Sequence, residues 1–129
     1  MSAFAQQVDA EYAPEPTSPR AARWLVRSAL RDWRLEHLTD AATLLVSELA
    51  TNAALHARTP FVVRLERDRE TLRITVLDCS GAGPVRRSHG VGAGTGRGLV
   101  LVGTLAEAWG TRTDVQPWTK AVWCELATA

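Results

Sequence analysis

Residues 47–57 read Ser47-Glu48-Leu49-Ala50-Thr51-Asn52-Ala53-Ala54-Leu55-His56-Ala57. They close a stretch that opens at Thr39 or Asp40, stops before Pro60 and is apolar almost all round: Ala41, Ala42, Leu44, Leu45, Val46, Leu49, Ala50, Ala53, Ala54 and Leu55. An apolar run of that length, without strand alternation, predicts a buried helix over 39–57. Set into it are Glu48, Asn52 and His56, spaced i, i+4, i+8 and so on one helical face. Buried polar groups without partners are costly, and two readings stay open. In one, the carboxylate and amide are satisfied within the core or reach solvent at a helix edge. In the other they form a metal–phosphate site. Asn52 would supply a hard carbonyl oxygen suited to Mg2+, and Glu48, one turn earlier, would take a proton from a hydroxyl or orient a water.

Toward the N-terminus, Ser18-Pro19 reads as a helix start, with Ser18 as N-cap and Pro19 at the first helical position. Ala22, Leu25, Val26, Ala29, Leu30 and Trp33 follow at 3-4 spacing as one apolar face. Arg20, Arg23, Arg27, Arg31 and Arg34 recur opposite, either as a solvated stripe or as a docking surface for an acidic partner. Residues 1–18, with Pro14 and Pro16, read as an arm with an edge strand from Gln6 to Ala13, and residues 19–129 as one domain. Toward the C-terminus, Phe61 to Arg67 and Leu72 to Asp78 alternate as two strands, and Asp68-Arg69-Glu70 makes a hairpin of them. Two further strands are expected, Glu107 to Thr113 and Lys120 to Leu126, with Pro117 in the turn. This order predicts an α+β fold: a two-layer α/β sandwich, helices packed on one mixed, mostly antiparallel sheet.

Strand parity turns the Asp78 carboxylate to the side of Leu72, Ile74 and Val76, toward the core. There it either caps the following turn or accepts a hydrogen bond from an exocyclic amine such as that of adenine. Seven of the nine glycines then fall between Cys79 and Gly98. The run Gly90-Val91-Gly92-Ala93-Gly94-Thr95-Gly96-Arg97-Gly98-Leu99 leads into a helical pattern through Leu101, Val102 and Leu105. It is either a flexible surface loop or a phosphate cradle of backbone N–H groups at a helix start. It holds no Gly-Lys-Ser/Thr and no G-x-G-x-x-G, so it is neither a Walker loop nor a dinucleotide fingerprint.

Composition bounds these readings. With 129 residues, 46% hydrophobic and 22% charged, the chain is one ordered domain. A net charge of +1 argues against a nucleic-acid binder resting on bulk charge. No apolar run approaches a membrane span and the N-terminus carries no signal pattern, so a soluble cytoplasmic protein is expected. Cys79 and Cys124 are expected as free thiols, and His37, His56 and His89 show no metal-ligand spacing with them. Lys120 is the only lysine, so any chemistry that needs one has a single candidate.

Taken in order, Glu48-x3-Asn52, Asp78 at a strand end and a glycine loop opening a helix spell one nucleotide site. Residues 47–57 resemble the N-box of the GHKL (histidine kinase-like) ATPases, and more narrowly that of the anti-sigma factor serine kinases. Gly94-Thr95-Gly96-Arg97-Gly98-Leu99-Val100-Leu101-Val102 resembles their second glycine box. Lys120-Ala121-Val122-Trp123-Cys124-Glu125-Leu126 resembles their last strand, and Pro19-Arg20-Ala21-Ala22-Arg23-Trp24 fits their first helix. The resemblance runs from about Gln6 to Leu126 and implies a Bergerat-type ATP-binding fold.

It implies roles as well. Asn52 would ligate Mg2+ on the ATP phosphates, Glu48 would be the general base, and Asp78 would bind the adenine amine. Gly94, Gly96, Gly98 and Leu99 would offer N–H groups to phosphate. Gly83, Thr95 and Arg97 would complete the nucleotide-binding set, and residues from Gly81 to Thr95 would form a short lid. The family's first glycine box usually reads D-x-G-x-G. Here Ser80 and Ala82 stand at the expected positions, with Gly81 and Gly83 out of step, which reshapes the adenine-side turn. A threonine often found before the Val-Trp of the last strand is Ala121.

The implied function is an ATP-binding anti-sigma factor with protein serine kinase activity. Its partners would be a sigma factor and a STAS-type anti-anti-sigma protein, with no direct nucleic-acid or membrane contact, and its assembly a homodimer. The alternative is a non-catalytic nucleotide- or partner-binding switch of the same fold. A detached sensor-kinase domain fits less well, because no phosphoacceptor-histidine helix accompanies His37.

Overall fold

A strand that is apolar at every second residue has one face to cover, and three such strands lie side by side here. The computed structural model describes residues 4–79, 103–113 and 116–129. Five strands form one sheet: β1 (Gln6–Tyr12), β2 (Phe61–Arg67), β3 (Thr71–Asp78), β4 (Ala108–Thr113) and β5 (Lys120–Ala127). Their spatial order is β1-β2-β3-β5-β4. The sheet was expected to be mixed; every pairing among the described residues is antiparallel. Sequence-adjacent strands joined by short turns, as β2 to β3 and β4 to β5, need no crossover helix. The first of these turns is held by Asp68, whose Oδ1 accepts from the backbone N–H of Glu70 (2.9 Å) and of Thr71 (2.7 Å).

Register sorts the side chains. Val63 pairs with Val76, Leu65 with Ile74, and Ile74 in turn with Cys124, all fully or almost fully buried. Helices α1 (Ser18–Asp32) and α2 (Thr39–Asn52) cover this face. α1 contributes Ala22, Val26, Ala29 and Leu30, and α2 contributes Ala42, Leu45, Val46, Leu49 and Ala50, to one core. The N-terminal segment joins the same sheet, since β1 pairs with β2 along its whole length, from Gln6 opposite Arg67 to Tyr12 opposite Phe61.

Three details differ from the sequence expectation. Thr17, not Ser18, is the N-cap of α1. The Ser18 hydroxyl donates to the carbonyl of Ala13 at 2.6 Å, so it ties the incoming arm instead of accepting from the helix. The stretch 39–57 is not buried all round: Leu44 of α2 is 46% exposed and Leu55, beyond its end, 57%. A two-layer fold gives a helix one partner surface, so its outer stripe stays wet whatever its composition. The α-helical part also stops at Asn52, and residues Ala53–Ala57 continue as a π-helical turn closed by Arg58 in the left-handed conformation (φ 57°). Of the helix expected from Leu99, residues 103–105 are helical; the stretch before them lies outside the described residues. No helix among the described residues is long and apolar enough to cross a membrane.

The two cysteines are free thiols in opposite environments: Cys79 is exposed and Cys124 buried. Burial, with a smaller contribution from neighbouring Glu125, pushes the Cys124 thiol up to about 12. A native-state thiol titration at pH 8 should therefore label Cys79 within minutes and Cys124 only on unfolding. Two rapidly reacting thiols would contradict this packing. The thiol stays protonated in the fold but ionises near pH 8.5 in the unfolded chain. Its contribution to stability is whole below that value and is lost as the pH rises toward 12.

Candidate functional site

Glu48 and Asn52 sit one turn apart on α2, half-buried, beside the stripe Leu45, Leu49 and Ala50 that α2 gives to the core. Their polar neighbours are engaged. The Thr43 hydroxyl donates to the Thr39 carbonyl (2.7 Å), and Ser47 accepts from Arg23 (2.8 Å), which ties α1 to α2. Among the described residues, the Glu48 carboxylate and the Asn52 amide have no hydrogen-bond or ion-pair partner. The pair is not satisfied within the core; a helix edge that reaches solvent and a metal–phosphate site both fit it. The pair is two hard oxygen donors held by a rigid helix at a wet edge, and such groups suit a divalent cation completed by phosphate oxygens and water. The third member, His56, lies in the π-turn that begins right after Asn52.

Asp78 ends β3 facing inward, as parity required, and is 1% exposed. The turn it would cap lies outside the described residues. Oδ2 lies 3.4 Å from Nζ of Lys120, and both side chains are almost wholly buried, at 2% and 4% exposure. Lys120 opens β5 and is the register partner of Asp78. The backbone is held too: the Asp78 carbonyl accepts from the Thr119 N–H (3.0 Å) and hydroxyl (3.3 Å). On the other side the N–H of Cys79 donates to the Thr59 hydroxyl at 3.3 Å. That bond joins the segment leaving the π-turn to the residue after Asp78, and the π-turn itself packs on β3. The ends of α2 and β3 therefore meet at one end of the sheet.

Lys120, singled out in the sequence as the only lysine, is placed against Asp78 by the fold. Its signal was readable: a lone lysine at a core-facing parity of a strand, alternating with Val122, Cys124 and Leu126. The expected phosphate-binding residues Gly94, Thr95, Gly96, Arg97, Gly98 and Leu99, together with Gly83 and the lid from Gly81 to Thr95, lie outside the described residues.

The model of the histidine kinase-like ATPase domain matches residues 12–123. The chain belongs to that family. No curated protein matches the chain. The matched span contains Glu48, Asn52, Asp78 and Lys120, and membership in this ATPase family carries ATP binding with it. The observed layering of α1 and α2 on an antiparallel sheet is the α+β sandwich expected of a histidine kinase-like ATPase.

A carboxylate and an ammonium sealed together behave asymmetrically when altered. Removing one partner strands a buried charge, typically at a cost of about 3–5 kcal/mol, whereas removing both is often nearly neutral. In urea denaturation, Lys120→Met should lose about that much stability, and Asp78→Asn/Lys120→Met should recover most of it. Equal losses in the single and double variants would show that the two groups do not act as a pair.

Proposed function

We propose that this chain is an ATP-dependent protein serine kinase that also holds a sigma factor. Its substrate is a serine of a small STAS-type anti-anti-sigma protein. The observation that carries the reading is the Glu48–Asn52 pair, one helical turn apart, at the wet edge of α2 and without a protein partner among the described residues. A phosphoryl-transfer pair needs its oxygens available, and these are.

Asn52 presents its carbonyl oxygen to Mg2+, which when bound neutralises phosphate charge. Asp78 accepts from the adenine amine. Glu48 takes the proton of the attacking serine hydroxyl as the serine oxygen bonds the γ-phosphorus and the bond to the ADP oxygen breaks. Little else is required of the protein, because phosphoryl transfer rests mainly on positioning and charge neutralisation.

Partner docking has support near the same helix. A groove of about 440 Å³ between the start of α1 and the end of α2 is lined by Arg20, Arg23, Thr51 and Leu55. Trp24, 66% exposed, stands on the same helix as Arg20, Arg27 and Arg31, which are also exposed. An acidic surface with an apolar anchor suits that combination.

Asn52→Ala should abolish Mg2+-dependent ATP binding in calorimetry while leaving the circular dichroism spectrum and melting point near wild type. Wild-type affinity in the variant would remove the metal role. Glu48→Gln, nearly isosteric, should keep ATP affinity within about threefold and lower phosphate incorporation into the cognate STAS-type protein by about 10²–10⁴. A wild-type chain that binds ATP yet phosphorylates none of the candidate partners from its own genome would instead be the non-catalytic switch. Ser80 and Ala82, at positions where the family has glycine, favour that second reading.

A further inference from the structure

The helices cover one face of the sheet, and the other face carries a cavity of about 260 Å³. Register sets out its floor. Leu77 stands between Val62 and Ala121, and Thr75 between Arg64 and Trp123. Leu77 and Ala121 pack with Val62 and Trp118 and are 2% and 1% exposed, so this part of the floor is apolar and tightly held. Trp123 makes a wall. A Cβ on Gly110 would stand 2.9 Å from Cζ2 of that indole, so glycine there lets the ring lie against β4. Arg64, Arg73 and Arg112 bring three guanidinium groups to the same cavity, and Glu66 brings a carboxylate.

The three guanidinium groups are not alike. Arg64 gives its Nε and Nη2 to Asp9, and Arg73 gives the same two atoms to Glu125. Arg112, exposed on β4, has no hydrogen-bond or ion-pair partner among the described residues, and neither does the Thr75 hydroxyl. With two arginines neutralised, the uncommitted charges are the Arg112 guanidinium and the Glu66 carboxylate, and two strands lie between them. That balance suits a monoanion at the Arg112 end, not a phosphate dianion. A planar carboxylate fits a guanidinium fork through two parallel hydrogen bonds, and a planar ring fits an indole wall over an aliphatic floor. The volume falls below the about 300–1,000 Å³ of sites for drug-sized ligands, which limits the occupant to about one ring.

We propose that this cavity binds a small aromatic monocarboxylate. Arg112 and the Thr75 hydroxyl donate to its carboxylate, and its ring lies on Leu77 and Ala121 beside Trp123. The site is separate from the nucleotide site. Along β3, Leu77 faces the cavity and Asp78 the opposite side, and along β5, Ala121 and Lys120 divide in the same way.

The probe is benzoate, with benzamide and phenyl phosphate as its neutral and dianionic comparisons. In nitrogen–proton correlation spectra of the wild-type chain at neutral pH, benzoate should move the Trp123 indole N–H resonance, assigned with Trp123→Phe, in a saturable way. Benzamide and phenyl phosphate should each bind at least about 10-fold more weakly. Arg112→Gln should weaken benzoate about 10- to 100-fold, the usual worth of a hydrogen bond to a charged group, and Thr75→Val about 2- to 10-fold. Should Thr75→Val disturb the sheet, Arg112→Gln decides alone, because that side chain is exposed on an edge strand. Saturating Mg2+-ATP should leave benzoate binding unchanged; displacement by ATP would put benzoate in the nucleotide site and overturn the proposal. Undiminished benzoate binding by Arg112→Gln overturns it too. Benzamide binding as tightly as benzoate reduces the cavity to an apolar one, and phenyl phosphate doing so removes the monoanion assignment; either result overturns the ligand class. No saturable shift up to the solubility limit of benzoate overturns the site itself. Each of these failures leaves the ATP reading where it stood, since that reading rests on residues of the opposite face.

Discussion

The antiparallel pairing of β3 with β5 is the constraint on which the rest of the molecule depends. Its register runs from Thr71 opposite Ala127 to Asp78 opposite Lys120. Because side chains alternate, one register choice decides a whole face. Leu72, Ile74 and Val76 meet Leu126, Cys124 and Val122 under the helices, and the last rung of that same face is Asp78 with Lys120. A slip of one residue would turn the core to solvent and part the carboxylate from the ammonium. The apolar interior and the polar floor at its end are thus one structural decision.

α2 supplies the second half of the site by being two-sided. Its inner stripe is packed against the sheet, and that packing fixes the rotation of the helix. Glu48 and Asn52 lie at the margin of the stripe, so they are aimed by the core without being enclosed in it. The π-turn that follows Asn52 ends the regular helix, and Thr59 beyond it accepts from the N–H of Cys79. Helix end and strand end are linked through the hydroxyl of Thr59 and the backbone of Cys79.

The fold was legible in the residues because its elements carry strong periodicity. Phe61 to Arg67 was bounded correctly by alternation and flanking turn residues, and β3 began at Thr71 only because Asp68 draws the N–H of that residue into its turn. The exposure of Leu44 and Leu55 was not legible. Composition says that a helix is apolar; it does not say how many layers are present to cover it. Nor was the shift of the α1 cap to Thr17, since it depends on Ser18 finding the Ala13 carbonyl across the bend of the arm.

By itself the sequence determined the alternation of the strands, the inward parity of Asp78 and the one-turn spacing of Glu48 and Asn52. These are local periodicities of 2 and 3.6 residues, set by backbone geometry. Only the tertiary structure decided which residue faces Asp78. Lys120 is 42 positions away in the chain, and no local pattern pairs them. The partner of a buried charge is chosen by strand order and register, which are properties of the whole sheet. Only the tertiary structure, likewise, separated a satisfied core pair from an available one at Glu48 and Asn52. Availability depends on what the rest of the fold brings near, and at that edge of α2 the described residues bring nothing that binds them.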